Sequence, residues 1–99
     1  MRLSQKQITQ IKELTAIVFG DEAQVYLFGS RLDDHAKGGD IDLLVKTNKV
    51  VERPAVLPAQ LAAKVMMANH GQKVDVVLIA PNLERHGIHK VALREGVLL

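Results

Sequence analysis

A glycine–serine pair and an Asp-x-Asp motif, each next to an apolar segment, constrain the fold of this chain most strongly. The segment 24–28 has the composition of a β-strand and ends at Gly29-Ser30. After a spacer of nine residues, Asp40 and Asp42 open a second strand-like segment over residues 41–45. We therefore predict two strands joined by a short connection, with small residues at the end of the first and acidic residues at the start of the second.

The chemistry of these two motifs favours binding of a phosphate and a divalent cation. A strand that ends in Gly-Ser and opens a helix presents free backbone N–H groups, which bind anions. Because side chains alternate along a strand, Asp40 and Asp42 share one face, with Cα atoms about 6.5–7 Å apart. Carboxylate oxygens are ligands that Mg²⁺ prefers. These residues predict a magnesium site beside a phosphate-binding turn, an arrangement suited to chemistry on a nucleoside triphosphate.

Asp75 is the third informative carboxylate. It is the second residue of the aliphatic segment 74–79, whose continuous apolar run predicts a strand buried on both faces. An unpaired charge inside such a strand is costly, so Asp75 needs a partner, a metal ion or a position at the exposed end of the strand. Taken alone, this residue leaves both interpretations open, a metal ligand or an ordinary strand-end residue.

Length and composition predict one domain over residues 1–99 with an aliphatic core. Of the 99 residues, 47% are apolar but only 3% are aromatic, and domains of about 100–150 residues are the commonest size. No apolar run approaches the roughly 18 residues of a membrane span, the first residues do not have the pattern expected of a signal peptide, and cysteine is absent. We expect a cytoplasmic protein without a membrane partner. A net charge of +2 and few aromatic residues predict no nucleic-acid partner.

The remaining periodicity places helices around the strands. Ser4 and Gln7 have the spacing of a capping box at the start of a first helix. Residues 53–69 predict a further helix that stops at Gly71, and Pro58 leaves open a regular helix that begins only there or is kinked. The last helix is predicted from an apolar stripe, Ile88, Val91 and Ala92. The order α-β-α-β-α-β-α predicts an α/β (α+β) fold, with helices flanking a small mixed sheet of at least three strands.

Taken together, the motifs resemble those of a known superfamily. Residues 27–31 read Leu-Phe-Gly-Ser-Arg, residues 39–45 read Gly-Asp-Ile-Asp-Leu-Leu-Val, and residues 74–77 read Val-Asp-Val-Val. This pattern resembles the nucleotidyltransferase fold of the DNA polymerase beta superfamily, and it is similar to the minimal nucleotidyltransferase (MNT) family in particular. The closing segment 92–99 also resembles that of the family, whereas Gly39 stands where many members have serine.

The resemblance implies a role for each motif residue. Gly29 and Ser30 would hold the β- and γ-phosphates of ATP, with Arg31 beside them as a further nucleotide-binding residue. The carboxylates of Asp40 and Asp42 would bind two Mg²⁺ ions about 4 Å apart. Asp75 would complete the site of the metal that faces the attacking hydroxyl. All three acidic residues, Asp40, Asp42 and Asp75, are thus implied as metal ligands and catalytic residues.

The resemblance also implies an activity and a partner. An MNT protein is expected to move AMP from ATP onto a hydroxyl of a protein partner, typically a HEPN-type ribonuclease toxin, so that this chain is the antitoxin of the pair. Two alternatives stay open on the sequence. The chain could be a binding module that neutralises its partner by contact, or one chain of a two-chain enzyme that modifies a small molecule.

Overall fold

A computed structural model describes residues 3–29 and 40–99 of the chain. The elements in these two ranges are α1 (Gln5–Phe19), β1 (Gln24–Phe28), β2 (Ile41–Lys46), α2 (Val56–Ala68), β3 (Val74–Ile79), α3 (Gly87–Glu95) and β4 (Val97–Leu98). The helical turn predicted between the first two strands lies outside the described residues. None of the helices within the described ranges is long and apolar enough to span a membrane.

The strands form one mixed sheet in the order β3-β2-β1-β4. β1 pairs antiparallel with both β2 and β4. β2 and β3, which are connected in the chain through α2, pair in parallel. The predicted fold class is therefore confirmed, and the described sheet has four strands against the predicted minimum of three. The fourth strand is formed by residues 97–98, which pair with Tyr26 and Leu27.

Helices pack on both faces of the sheet. Ile11 of α1 and Leu61 of α2 are fully buried against one face, together with Leu43 of β2. On the opposite face, Ala92 of α3 packs with Leu44 of β2. Because side chains alternate along a strand, the neighbours Leu43 and Leu44 belong to two different cores. The face beneath α3 is the one that carries the candidate site.

α1 begins as the sequence predicts. The Ser4 hydroxyl accepts a hydrogen bond from the Gln7 backbone N–H at 3.1 Å, and the Gln7 side chain accepts one from the Ser4 N–H at 2.8 Å. This reciprocal pair satisfies backbone donors that a helix start leaves without intrahelical partners. The Gln7 amide also donates to the side chain of Asn69 at 3.0 Å, which joins α1 to the end of α2.

α2 is shorter than predicted at its start. The helix begins at Val56 instead of residue 53, because the Arg53 carbonyl closes a separate turn before it. Pro58 is the third residue of the helix, where a missing N–H removes no intrahelical hydrogen bond. At the other end Gly71 adopts a φ of 80° and its N–H donates to the Met66 carbonyl at 2.9 Å. The predicted glycine stop is confirmed.

The apolar stripe predicted for the last helix is wrong in two of its three residues. Ile88 is 55% exposed and Val91 is 41% exposed, whereas His89 and Ala92 are buried. His89 takes an inward position because its Nδ1 accepts a hydrogen bond from the His86 backbone N–H at 2.8 Å, at the start of α3. His89 and Ala92 thus form the buried face of this nine-residue helix.

Candidate active site

Two of the predicted acidic residues face each other across neighbouring strands. The parallel register of β2 and β3 pairs Asp42 with Asp75. Paired residues of adjacent strands carry their side chains on the same face, with the strands about 4.8 Å apart. Leu44 and Val77, two residues further along each strand, are another such pair and pack beneath α3. Asp42 and Asp75 therefore lie on the α3 face of the sheet, where β2 and β3 begin.

A lysine links the third carboxylate to this pair. Lys73 Nζ lies 3.6 Å from Asp40 Oδ2 and 3.9 Å from Asp75 Oδ2. The three side chains are between 43% and 69% exposed, so each contact contributes at most about 1 kcal/mol. The ammonium group therefore places a positive charge between two carboxylates without fixing them. Sequence reasoning did not single out Lys73, although its position two residues before Asp75 puts it on the same face by alternation.

The surroundings of Asp42 disfavour the charged form of its carboxyl. Burial raises the pKa of the Asp42 carboxyl above its ordinary value, and the negative charges of Asp75 and Asp40 raise it further. The positive charge of Lys73 acts in the opposite direction. The charged form of Asp42 thus lacks sufficient positive charge nearby, which is the situation that a bound cation relieves.

Gly29 brings the end of β1 directly against the Asp42 carboxylate. β1 and β2 pair Phe28 with Asp42, and Gly29 follows with a φ of 79°. A Cβ atom on Gly29 would lie 3.1 Å from Asp42 Cγ and would overlap Oδ2 of the same side chain. Only glycine combines this left-handed backbone with such a close approach. The predicted turn and the predicted carboxylate are therefore in direct contact.

The acidic residues are chemically suited to bind a metal ion, although their side chains do not form a closed cluster in this structure. Within residues 3–29 and 40–99, no three acidic or histidine side chains are grouped closely enough to hold one metal ion. The available donors at the site are carboxylate oxygens, which Mg²⁺ prefers. Asp42 and Asp75 are in register on one face, and the raised pKa of Asp42 indicates that a cation beside it is favourable. Asp40, Asp42 and Asp75 are the residues that would hold such an ion.

The comparison with known families agrees with this geometry. A family model described as polymerase beta, nucleotidyltransferase, matches residues 6–99. The chain belongs to this family. A search of curated proteins found no match. As a member of the family, this nucleotidyltransferase is assigned nucleotidyl transfer in general, and the superfamily typically uses a nucleotide and a divalent metal ion.

The structure places four of the six predicted site residues of this nucleotidyltransferase. They are Gly29, Asp40, Asp42 and Asp75. Gly29, Asp42 and Asp75 lie together at one end of the sheet, and Asp40 joins them through Lys73. The other two predicted residues, Ser30 and Arg31, lie outside the described residues. The binding and catalytic roles of all six stay predictions.

Two glycines of the nucleotidyltransferase allow backbone strain to be separated from damage to the site. Gly29 and Gly71 have φ angles of 79° and 80°, so either Gly→Ala change is expected to cost about 1–2 kcal/mol of unfolding free energy. A Cβ on Gly71 meets nothing within 4 Å, whereas one on Gly29 displaces the Asp42 carboxylate. We expect Gly29→Ala, but not Gly71→Ala, to weaken Mg²⁺ binding. Thermal unfolding and Mg²⁺ titration calorimetry measure the two effects, and equal Mg²⁺ affinity in both variants would contradict the proposed site.

Proposed function

We propose that this nucleotidyltransferase is Mg²⁺-dependent and transfers AMP from ATP to a hydroxyl group on a protein partner. The observation that carries the proposal is the register of Asp42 with Asp75, directly beside Gly29. This arrangement puts a glycine turn suited to phosphate binding and carboxylates suited to a divalent ion together at one end of the sheet. We assign Asp40, Asp42 and Asp75 as metal ligands and Gly29, Ser30 and Arg31 as nucleotide-binding residues.

The proposed reaction is a substitution at the α-phosphorus of ATP. The acceptor oxygen forms a bond to this phosphorus, the bond from phosphorus to the oxygen bridging to the β-phosphate breaks, and pyrophosphate leaves with that electron pair. Asp75 accepts the proton of the acceptor hydroxyl. When two Mg²⁺ ions are bound, they supply charge stabilisation for the attacking and leaving oxygens. Gly29 contributes by leaving room for the Asp42 carboxylate directly against the backbone.

We propose a HEPN-type ribonuclease toxin as the acceptor, which makes this chain the antitoxin of a toxin–antitoxin pair. Support comes from the motifs around Gly29, Asp40 and Asp75, which are similar to those of MNT proteins, and from membership of the nucleotidyltransferase family. Nucleotidylation would then inactivate the toxin by changing the charge and size of one of its side chains.

Mass spectrometry of the partner tests this proposal. The partner for the test is the small helical protein encoded next to this chain, provided that it carries the arginine–histidine motif of HEPN ribonucleases. After incubation with wild-type protein, ATP and Mg²⁺, we expect mass increments of whole AMP units on the partner and none when EDTA replaces Mg²⁺. Neutralisation of the partner without any mass increment would instead support inhibition by contact, the alternative that the sequence leaves open.

A further inference from the structure

The outer edge of β3 offers unpaired backbone groups within the described part of the chain. β3 lies at one edge of the sheet and pairs on its inner side with β2. The Ile41 N–H donates to the Lys73 carbonyl, and this hydrogen bond shows which residues direct their backbone groups towards β2. Because alternate residues of a strand face its partner, the N–H and C=O groups of Val74, Val76 and Leu78 point away from β2. No hydrogen bond within residues 3–29 and 40–99 reaches these outward groups. Such an edge is a template for pairing with another extended chain.

The same edge forms the floor of an open cleft of about 590 Å³. One wall is formed by the start of α2, where Pro58, Ala59 and Ala62 are small enough to leave room beside the strand. The rest of the cleft is lined by the segment before α3 and its first turn, including Leu83 and His86. Asp75 belongs to the floor, so the cleft is continuous with the candidate active site.

We propose that an extended segment of the acceptor protein binds in this cleft as an added strand beside β3, with its hydroxyl-bearing residue opposite Asp75. This inference rests on the proposed function and specifies how the acceptor is presented. Hydrogen bonds to the outward backbone groups of Val74, Val76 and Leu78 hold the segment by its backbone. The acceptor hydroxyl then lies on the same face of the extended sheet as the Asp75 carboxylate.

The alternation of side chains predicts an acceptor sequence pattern. Val74, Val76 and Leu78 point to the α2 side of the sheet, and Asp75 points to the opposite side. In an added strand, the residues immediately before and after the acceptor therefore point into the cleft beside α2. That part of the cleft is formed by valine, alanine and proline side chains. We expect apolar residues at both positions next to the acceptor and no such requirement two residues away.

A single extended segment fits this site better than a second copy of the chain does. Pairing of two copies through their β3 edges would require both edges to come together. In each copy, however, α2 packs on β3, and its start lines the cleft along that edge. Pairing of two copies would bring a second α2 to the joined edge, whereas an isolated strand brings no helix with it.

Peptide binding without metal or nucleotide tests the docking site separately from the chemistry. The probes are two fluorescein-labelled nine-residue peptides with central tyrosine. One has valine immediately before and after the tyrosine, and the other has its two valines at the second position on either side of the tyrosine, where side chains point to the opposite face. In EDTA, fluorescence anisotropy should show at least about tenfold tighter binding of the first peptide, since two apolar side chains are buried only in that register. Equal binding of both peptides, or binding of neither, would overturn the inference.

Variants of the floor and the wall provide the structural controls. Val76→Pro removes one outward N–H on an edge strand, and Ala59→Glu narrows the cleft from α2. Each should weaken binding of the first peptide about tenfold. Met67→Glu changes the same helix at a residue that is 79% exposed and should leave binding unchanged. If Val76→Pro does not fold, Ala59→Glu against Met67→Glu decides. Undiminished binding by Ala59→Glu, or a wild-type dimer that protects the β3 amides from hydrogen exchange, would overturn the inference.

The docking site and the proposed function fail in different ways. If the first peptide binds as expected but receives no AMP in the presence of ATP and Mg²⁺, the docking inference is supported and the proposed transfer to a protein hydroxyl is not. If the partner protein receives AMP from wild type and Ala59→Glu alike, the transfer is supported and the docking inference is overturned.

Discussion

Asp42→Asn is expected to reduce AMP transfer at least about a hundredfold while the protein stays folded. The change removes one negative oxygen from the position that is in register with Asp75 and in contact with Gly29, so a divalent ion loses its most central ligand. Transfer of label from α-labelled ATP to the co-purified partner measures the loss. Asp21→Asn provides a matched control, because this exposed carboxylate lies before the start of β1, at the end of that strand away from Gly29.

The same variant is expected to be more stable than wild type when metal is removed. The pKa of the Asp42 carboxyl is raised in the folded state, chiefly by burial. The Asp42 carboxyl therefore contributes favourably to the free energy of unfolding while it is protonated. This contribution is fully present below the unfolded pKa, about 3.9, and is lost as pH rises through the higher folded pKa. In EDTA, the melting temperature of wild type should fall below that of Asp42→Asn over this pH range. Added Mg²⁺ should raise the melting temperature of wild type only.

Two results would contradict this account of Asp42. A variant that transfers AMP as fast as wild type would show that the carboxylate is not part of the machinery. A variant that is less stable than wild type at neutral pH in EDTA would show that the charged carboxylate is favourably paired, contrary to its raised pKa. The two measurements are independent because the second needs neither a nucleotide nor a partner.

Leu43→Ala is expected to lower stability while AMP transfer is kept, although Leu43 is the next residue along β2. Its side chain is fully buried in the core beneath α1 and α2, so the change should cost about 2–5 kcal/mol of unfolding free energy. This is a large share of the 5–15 kcal/mol typical of a domain, and the melting temperature should fall by at least about 10 °C. Denaturant unfolding measures the change.

The adjacent pair Asp42 and Leu43 separates function from folding. Below its melting temperature, folded Leu43→Ala should keep Mg²⁺ binding and transfer close to those of wild type, since its side chain points away from the site. Ile17→Ala, at a residue of α1 that is 71% exposed, is the control for a truncated apolar side chain and should change stability little. A Leu43→Ala protein that is stable yet inactive would place Leu43 in the site and contradict the assigned faces of β2.

Local sequence patterns predicted most elements of this fold because each depends on neighbouring residues. The capping box of Ser4 and Gln7, the strand over residues 24–28 and the stop at Gly71 are confirmed. The alternation that predicts Asp40 and Asp42 on one face is also a local pattern, although Asp40 precedes the first residue of β2. The pairing of Asp42 with Asp75 could not be predicted from a local sequence pattern, because the register of two parallel strands is set by packing of the whole sheet.

The expectations that failed depended on contacts between elements. The continuous apolar run of β3 indicates that helices cover both of its faces, but it does not reveal that β3 lies at the edge of the sheet. The stripe predicted for α3 failed because the inward position is taken by His89, which accepts a hydrogen bond from the His86 backbone, and histidine is not counted in an apolar pattern. Lys73 was missed for a similar reason, since an exposed lysine before a strand becomes informative only when both carboxylates beside it are located.

The site of bond cleavage in ATP tests the central claim most directly. Wild-type protein and its partner are incubated with Mg²⁺ and ATP labelled at either the α- or the γ-phosphate, and the label on the partner is counted. If the carboxylates of Asp40, Asp42 and Asp75 direct substitution at the α-phosphorus, label reaches the partner from α-labelled ATP and not from γ-labelled ATP. Label from the γ-phosphate, or from neither nucleotide, would contradict the account.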